Sequence, residues 1–403
     1  MNLFDIKYAL RHIFRYKEYS LLNVTGLALG MACAILIMLW IEHEVKTDKF
    51  HTHGDDIYRI MTIFKFSEED ISIDESVTGP LAPAIEEEVP EVKYAVRVSW
   101  KEEVLFRLGD KMFYEEGHFA DSSFFKVFSF PFLQGNSATA LNNPNSVVIS
   151  EKLSRKYFGN ENAVGNTIRI RSEKEELYTI TGVFKEIPSY SSLQFDYIIP
   201  FAKILEYRPW NVHWGNFNMM TFIQAEPDVS TEVLDKKITD TFLAHASWKI
   251  PAFCVQHFEE AYLRNDYGTT KYNPTGLIVY IRIFSFVALF IIFLACMNYT
   301  NLSTAIATRR GREVGVKKVF GSGRKYIFRQ FSLEAVTLTI ISFFIAIIIV
   351  VTALPYFNQL TNSSLTFNLR DYRILIIAIG IPFLTGILAG AFPTFYMSSF
   401  KPL

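Results

Sequence analysis

RRGREVGVKKVFGSGRKYIFR, Arg309 to Arg329, holds eight lysines or arginines and a single acid, Glu313. An apolar run precedes it, Leu277 to Met297, and another follows it, Phe331 to Leu354. Short loops rich in Lys and Arg stay on the cytoplasmic side of a membrane. The segment therefore reads as a cytoplasmic connection between two spanning helices, and the rest of the chain can be placed from it.

Two more runs, Leu21 to Ile41 and Arg373 to Tyr396, reach the roughly 20 apolar residues that a spanning helix needs. Four such runs in 403 residues, half of them hydrophobic with a mean hydropathy of +0.17, exclude an ordinary soluble domain. The first run is longer than a signal-peptide core. IEHEVKTDKF after it has no small-x-small cleavage site, so it reads as a permanent anchor. Cys33, Cys254 and Cys296 are too few and too scattered for a disulfide framework.

Charge sorts along the same lines. Residues 42–276 hold 36 acids and 24 bases, while the remaining residues hold 5 acids and 16 bases. Ahead of the first run stand Lys7, Arg11, Arg15 and Lys17, whereas the connection 355–372 has only Arg370. Both termini are thus expected inside and 42–276 outside. The near-zero net charge of -1 argues against a nucleic-acid partner. In MNLFDIKYALRHIFRYK, Leu3, Ile6, Leu10 and Ile13 share one helical face and Lys7, Arg11 and Arg15 another, the pattern of an interfacial helix lying on membrane lipids.

The expected layout follows. It comprises a cytoplasmic amphipathic helix 1–20, spans at 21–41, 277–297, 331–354 and 373–396, and an external domain 42–276. A cytoplasmic loop 298–330, a short external loop 355–372 and a tail 397–403 complete it. Gly26, Gly30 and Ala34 in the first span, and Gly386 and Gly390 in the fourth, repeat at four residues. Small residues at that spacing let helix backbones approach closely. Arg282 and Glu334 sit near span ends, so no charged route crosses the bilayer midplane.

The external segment mixes strand and helix patterns. IYRIMTIFKF reads as a strand, GPLAPAIEEEVPEV as a short helix opened by Pro80, and VLFRLGDKMFYEE as a hairpin turning at Gly109-Asp110. NSVVISEKLSRKYFG reads as a strand entering a helix closed by Gly159, with NTIRI and YTITGVFKEI as further strands. The class is a mixed α+β domain inserted between the first and second of four transmembrane helices.

Chemistry is sparse. His51 and His53 in FHTH, two residues apart, have no third ligand near them, and a solvated pair at a strand edge is the expectation. GNENAVGNT has the glycines of a phosphate loop without its Lys-Ser/Thr ending. Trp210, Trp214, Phe217 and Phe222 could line a cleft, although such aromatics are more often core. No catalytic residue, metal site or cofactor is expected.

ALRHIFRYKEYSLLNVTGLALG with the span after it resembles the start of MacB-type, FtsX-like permeases of ABC transporters. FADSSFFKVFSFPFLQGN, NPNSVVISEKLSRKYFGNENAVGNTIRI and YTITGVFKEIPSYSSLQFDYIIP resemble that family's periplasmic core domain. NLSTAIATRRGREVGVKKVFGSGRKYIFRQFSLEA and GILAGAFPTFYMSSFKP resemble its cytoplasmic signature and the end of its last span. The resemblance implies a non-catalytic permease in the bacterial cytoplasmic (inner) membrane, with its large domain in the periplasm. It further implies a separate cytoplasmic ABC ATPase subunit and a second permease half, supplied by a second copy or a second repeat.

In that family the loop after the second span carries a short coupling helix that docks on the ATPase. Here Val316, Val319 and Phe320 form an apolar edge at helical spacing beside Arg309, Arg312, Glu313 and Lys317. Glu313 and Lys317 are spaced for an i,i+4 pair. The function implied is mechanotransmission, with export or extraction of a peptide, antibiotic or lipoprotein through a periplasmic adaptor and outer-membrane factor. The alternative is an FtsX-like regulatory or sensory protein that controls a periplasmic cell-wall hydrolase or signalling partner.

Overall fold

The computed structural model describes residues 17–67, 71–247, 251–264, 276–320, 323–361, 363–368 and 372–399. The amphipathic segment expected before the first span, through residue 16, lies outside the described residues, as do residues 400–403. The chain divides into two compact units, one comprising Met1–Val45 with Val279–Leu403 and the other Lys46–Ile278.

In the first unit, α1 spans Lys17–Lys46. Long apolar helices α5 (Leu277–Val319), α6 (Arg324–Thr361) and α7 (Tyr372–Ser399) make up the rest of it. Among the described residues, three helices are long and apolar enough to cross a membrane: Lys17–Lys46, Leu277–Ala305 and Tyr326–Thr361. The described apolar part of α7, Tyr372–Ile387, is shorter.

Two boundaries depart from expectation. The segment 298–330, expected as a loop, is helical over its first two thirds, because α5 runs unbroken to Val319. That stretch has no proline, and its Ala, Leu, Arg and Glu residues favour helix strongly enough to carry Gly311 and Gly315. Likewise α6 continues past Pro355 to Thr361. A proline inside a membrane helix is tolerated where neighbouring groups satisfy the freed carbonyl.

Helices α1 and α5 run antiparallel. Trp40 meets Phe284 edge-on at 5.3 Å between ring centroids. A Cβ on Gly30 would fall 2.7 Å from Ala295 Cβ, and one on Gly26 would fall 2.8 Å from Asn298 Nδ2. At the other end Tyr19 and Ser303 share a hydroxyl hydrogen bond. From Tyr19 to Trp40 these contacts run along α1 for about 30 Å, at roughly 1.5 Å per residue, which is the thickness of a bilayer core.

Among the described residues the second unit holds thirteen strands in two arrangements. Its hairpin β5 (Glu102–Leu108) and β6 (Lys111–Ala120) turns at Gly109, whose φ of 57° suits glycine. With β8 (Ser146–Ser150), β9 (Thr167–Arg171), β10 (Glu175–Phe184) and β11 (Tyr197–Pro200), these two strands close a six-stranded ring, β11-β8-β10-β9-β5-β6 and back to β11. Helix α3 (Glu151–Phe158) follows β8 directly. Alternation sends Val104, Phe106, Ile168, Ile170, Tyr178 and Ile180 into a packed interior. The intervening residues form two outward rows across four strands. One runs Leu177, Arg169, Arg107, Met112, and the other Glu175, Arg171, Leu105, Tyr114.

The remaining sheet is open and antiparallel. Strand β4 (Val92–Val98) pairs β12 (Phe217–Ala225), which pairs β1 (Ile57–Lys65), which pairs β13 (Pro251–His257). Short strands β2 (Ile71–Asp74), β3 (Val77–Thr78) and β7 (Phe132–Gly135) pair β1, β12 and β10 respectively. Helices α2 (Leu81–Glu88) and α4 (Thr231–His245) bury Leu81, Ile85, Leu234, Ile238 and Phe242 against one face of the open sheet. The opposite face is covered by the FSFPF region, where Phe124, Phe128, Phe130, Phe195, Phe222 and Phe258 form one buried cluster. Each such ring contributes about 1.5–3 kcal/mol on burial, so this core holds without a disulfide; its one cysteine, Cys254, is free.

Candidate functional site: the end of α5 and the exit from α1

The last turns of α5 carry the residues singled out in the sequence. Arg309, Arg312, Glu313, Val316, Lys317 and Val319 lie on the helix, and Phe320 follows directly. The Phe320 N–H donates to Val316 O at 3.0 Å, which continues helical geometry by one residue. At about 100° per residue all seven fall within one half of the helix circumference. Val316, Val319 and Phe320 are 56%, 77% and 85% exposed. The side chains of Arg309, Arg312, Glu313 and Lys317 lie outside the described residues, as does Gly321. The face therefore presents three uncovered apolar side chains on a helix continuous with a span.

Of the small-residue positions, Gly26 and Gly30 lie where α1 touches α5, and Ala34 on the same helix is fully buried. Gly386 on α7 faces α6 less tightly, since a Cβ there would sit at an ordinary 3.7 Å from Thr339 Cγ2. The surroundings of Gly390 lie outside the described residues. Glu334 is buried near the start of α6, and Arg282 is exposed on α5.

Sequence reasoning missed a clamp where the chain leaves α1. Asp48 adopts φ 63°, a left-handed conformation costly for a residue with a Cβ. Its N–H donates to Tyr190 O at 2.9 Å, and its Oδ1 accepts from the Ser192 N–H at 2.7 Å. The Lys46 ammonium sits 4.3 Å from the Tyr190 ring centroid. Burial pushes the Asp48 carboxyl up to about 6, against the pull of its Ser192 hydrogen bonds. The only sequence signal is the TDK turn after α1, and nothing in it points to a partner as remote along the chain as Tyr190.

The paired histidines of FHTH are not solvated on a strand edge. Neither lies on a strand; His53 precedes the short helix Gly54–Asp56 and is exposed, whereas His51 is buried. The centroid of the His51 ring lies 4.1 Å from that of Phe50, 5.3 Å from those of Phe128 and Phe130, and 5.6 Å from that of Phe258. Its Nδ1 accepts from the Ser129 N–H at 3.1 Å. Burial lowers its pKa to about 4, so it is neutral at physiological pH. Phe222 belongs to the same core. Trp214 stacks on His245, and Trp210 is exposed on the surface, so these aromatics do not converge on one cleft.

With this geometry in hand, comparison with known proteins assigns the class. The model of the MacB-like periplasmic core domain matches residues 20–241, and that of the FtsX-like permease C-terminal region matches 285–402. The chain belongs to the MacB-type, FtsX-like permeases of ABC transporters. Among curated relatives, the uncharacterized ABC transporter permease YvrN of Bacillus subtilis strain 168 is 24% identical over 351 residues, covering 83% of each chain. Among solved structures, a domain of a protein from Porphyromonas gingivalis described as a permease is 27% identical. It covers 52% of this chain and 93% of that one, with a TM-score of 0.44. The periplasmic region of MacB from Actinobacillus actinomycetemcomitans is 16% identical, covering 54% and 95%, with a TM-score of 0.39.

Proposed function

We propose that this permease transmits motion from a separate cytoplasmic ABC ATPase to its large domain, rather than conducting a solute through its spans. The carrying observation is the exposed apolar face of Val316, Val319 and Phe320 at the end of a 43-residue helix. A topology signal requires only the bases. Apolar side chains so exposed suit a partner's groove, and a rigid helix carries the load onward.

Arg309, Arg312, Glu313 and Lys317 would steer and register that docking. The close approach of α1 to α5 at Gly26 and Gly30 would pass movement to α1, and the Asp48 clamp would pass it into the domain. In this reading the spans number four, α7 supplying the last. The chain lies in the bacterial cytoplasmic membrane with residues 42–276 in the periplasm, and it pairs with a second permease half. A peptide, antibiotic or lipoprotein is the class of substrate that such a stroke would export or extract.

The test is co-purification of the ATPase with substituted chains. Val319→Asp places an unpaired charge in the apolar contact, a change that costs several kcal/mol, on the order of 3–5, and should abolish association. Lys317→Ala should cost only about 0–1 kcal/mol, as exposed ion pairs do. Both variants keep at least seven bases in the segment and should insert at normal levels. Equal ATPase recovery with wild type and Val319→Asp would sink the docking role.

A further inference from the structure

Helices α6 and α7 pack together but leave a hollow of about 560 Å³ between them. That volume falls within the roughly 300–1,000 Å³ of small-molecule sites. Phe328, Val336, Ile340 and Phe343 of α6 line it, with Ile379 and Phe383 of α7 opposite. All but Phe343 are between 39% and 70% exposed, so the hollow opens on the outer surface of the helix pair. Gly386 leaves it unfilled, since a Cβ there would only reach ordinary contact with Thr339. Its α6 side continues into positive charge. Lys325, Arg329, Ser332, Val336 and Phe343 stand at i, i+4, i+7, i+11 and i+18, one stripe of the helix. The last three line the hollow, and the two bases occupy the turns before it. Glu334, the one acid in the sequence of α6, falls on the opposite side of the helix, and the sequence of α7 has no acid.

We infer that the hollow holds one acyl chain of an anionic phospholipid, with the lipid phosphate at Lys325 and Arg329. Lipid tails are as apolar as the lining, so burial alone would not retain one lipid over its neighbours. The bases supply the selection, because basic pockets between spans on the cytoplasmic side suit anionic headgroups. A second copy of the chain is the competing occupant. A two-fold contact through this face would set Lys325 and Arg329 of one copy near the same bases of the other. Like charges would then meet, whereas a phospholipid brings the opposite charge and a tail to fill the space. The inference takes from the proposed orientation only the leaflet that supplies the lipid. It is independent of the ATPase contact, because none of its residues belongs to α5.

The test places the full chain in nanodiscs of phosphatidylcholine containing phosphatidylglycerol with a diazirine in its acyl chain. After irradiation the label should concentrate in residues 336–343 and 379–387. Unlabelled phosphatidylglycerol should displace it, and extra phosphatidylcholine should not. The same diazirine tail on phosphatidylcholine should label these residues about tenfold less. K325Q/R329Q should lower the phosphatidylglycerol yield to that of phosphatidylcholine. Six of the eight bases of 309–329 remain in that variant, so it should insert normally. Val336→Trp, which fills the hollow, should abolish labelling there with either headgroup. Phe344→Trp, exposed and about 100° round the helix from Phe343, should leave it unchanged.

Labelling of the unsubstituted chain remains decisive even if a variant harms folding. Equal yields from the two headgroups would overturn the proposal, as would labelling no denser at the hollow than at exposed Phe344 and Ile348. In intact cells, a photocrosslinking residue in place of Val336 should give an adduct of phospholipid mass. A chain-to-chain adduct would put a second copy over the hollow, and that outcome, or no adduct at all, would also overturn it. ATPase recovery with K325Q/R329Q should match wild type, and it reports separately on the coupling role.

Discussion

Four titratable groups in the domain, buried Asp48, His51 and His118 and half-buried Asp235, set opposing pH dependences. Burial pushes Asp48 and Asp235 up to about 6, and lowers His51 and His118 to about 4. Between about pH 4 and 6 the folded acids hold protons that the unfolded chain has released, so each makes stability fall as pH rises. From 6.5 down to about 4 the unfolded histidines take up protons that the fold refuses, so each makes stability rise with pH. With two of each, melting temperature should vary little from about pH 4 to 6.5. Asp48→Asn removes one falling contribution. The stability of this variant relative to wild type should increase by about 3 kcal/mol between pH 4 and pH 7, roughly two pKa units of displacement. Thermal melts at those two pH values read the difference directly, and an equal effect at both would show that Asp48 does not titrate as described. None of these burials was legible locally. FHTH looks solvated because Phe128, Phe130 and Phe258, which enclose His51, come from distant parts of the chain.

Elements were far more legible than their closure. Ser150 caps α3 by accepting from the Leu153 N–H at 3.1 Å, and Gly159 ends it at φ 66°. Pro80 opens α2 where its ring predicted a start. Such local signals sit within a few residues of what they control. The barrel depends instead on the parallel pairing of β11 with β6, which brings Tyr197 to Gly117 from far along the chain, and no local pattern marks such a pairing. The glycine repeats show the same limit, since spacing marks a packing stripe without saying how tight it is. Gly30→Leu should therefore drive a side chain into Ala295 and Ile291, and overpacking of that kind costs about 1–3 kcal/mol. Gly386→Ala meets only an ordinary 3.7 Å contact and should be nearly neutral. Thermal stability of the two detergent-solubilised variants measures the contrast, and equal losses would mean that α1 and α5 do not pack as closely as described.

At the scale of the whole molecule, charge and hydropathy argue one orientation. The acidic excess of residues 42–276 and the basic excess elsewhere are separated by apolar helices. Lys and Arg resist translocation when they lie in short segments near span ends, and the eight bases of 309–329 occupy such a segment, formed by the end of α5 and the start of α6. Two exposed positions report the two sides: Lys174, in the turn between β9 and β10, and Val319, at the end of α5. In a chain freed of Cys33, Cys254 and Cys296, Lys174→Cys should react with a membrane-impermeant maleimide in intact cells. Val319→Cys should react only after the cytoplasmic membrane is opened. Neither substitution removes a base from the 309–329 segment, so neither should disturb insertion. The reverse labelling pattern would invert the topology. It would also remove Val316, Val319 and Phe320 from the side where a cytoplasmic ATPase would bind, and with them the coupling role proposed for the end of α5.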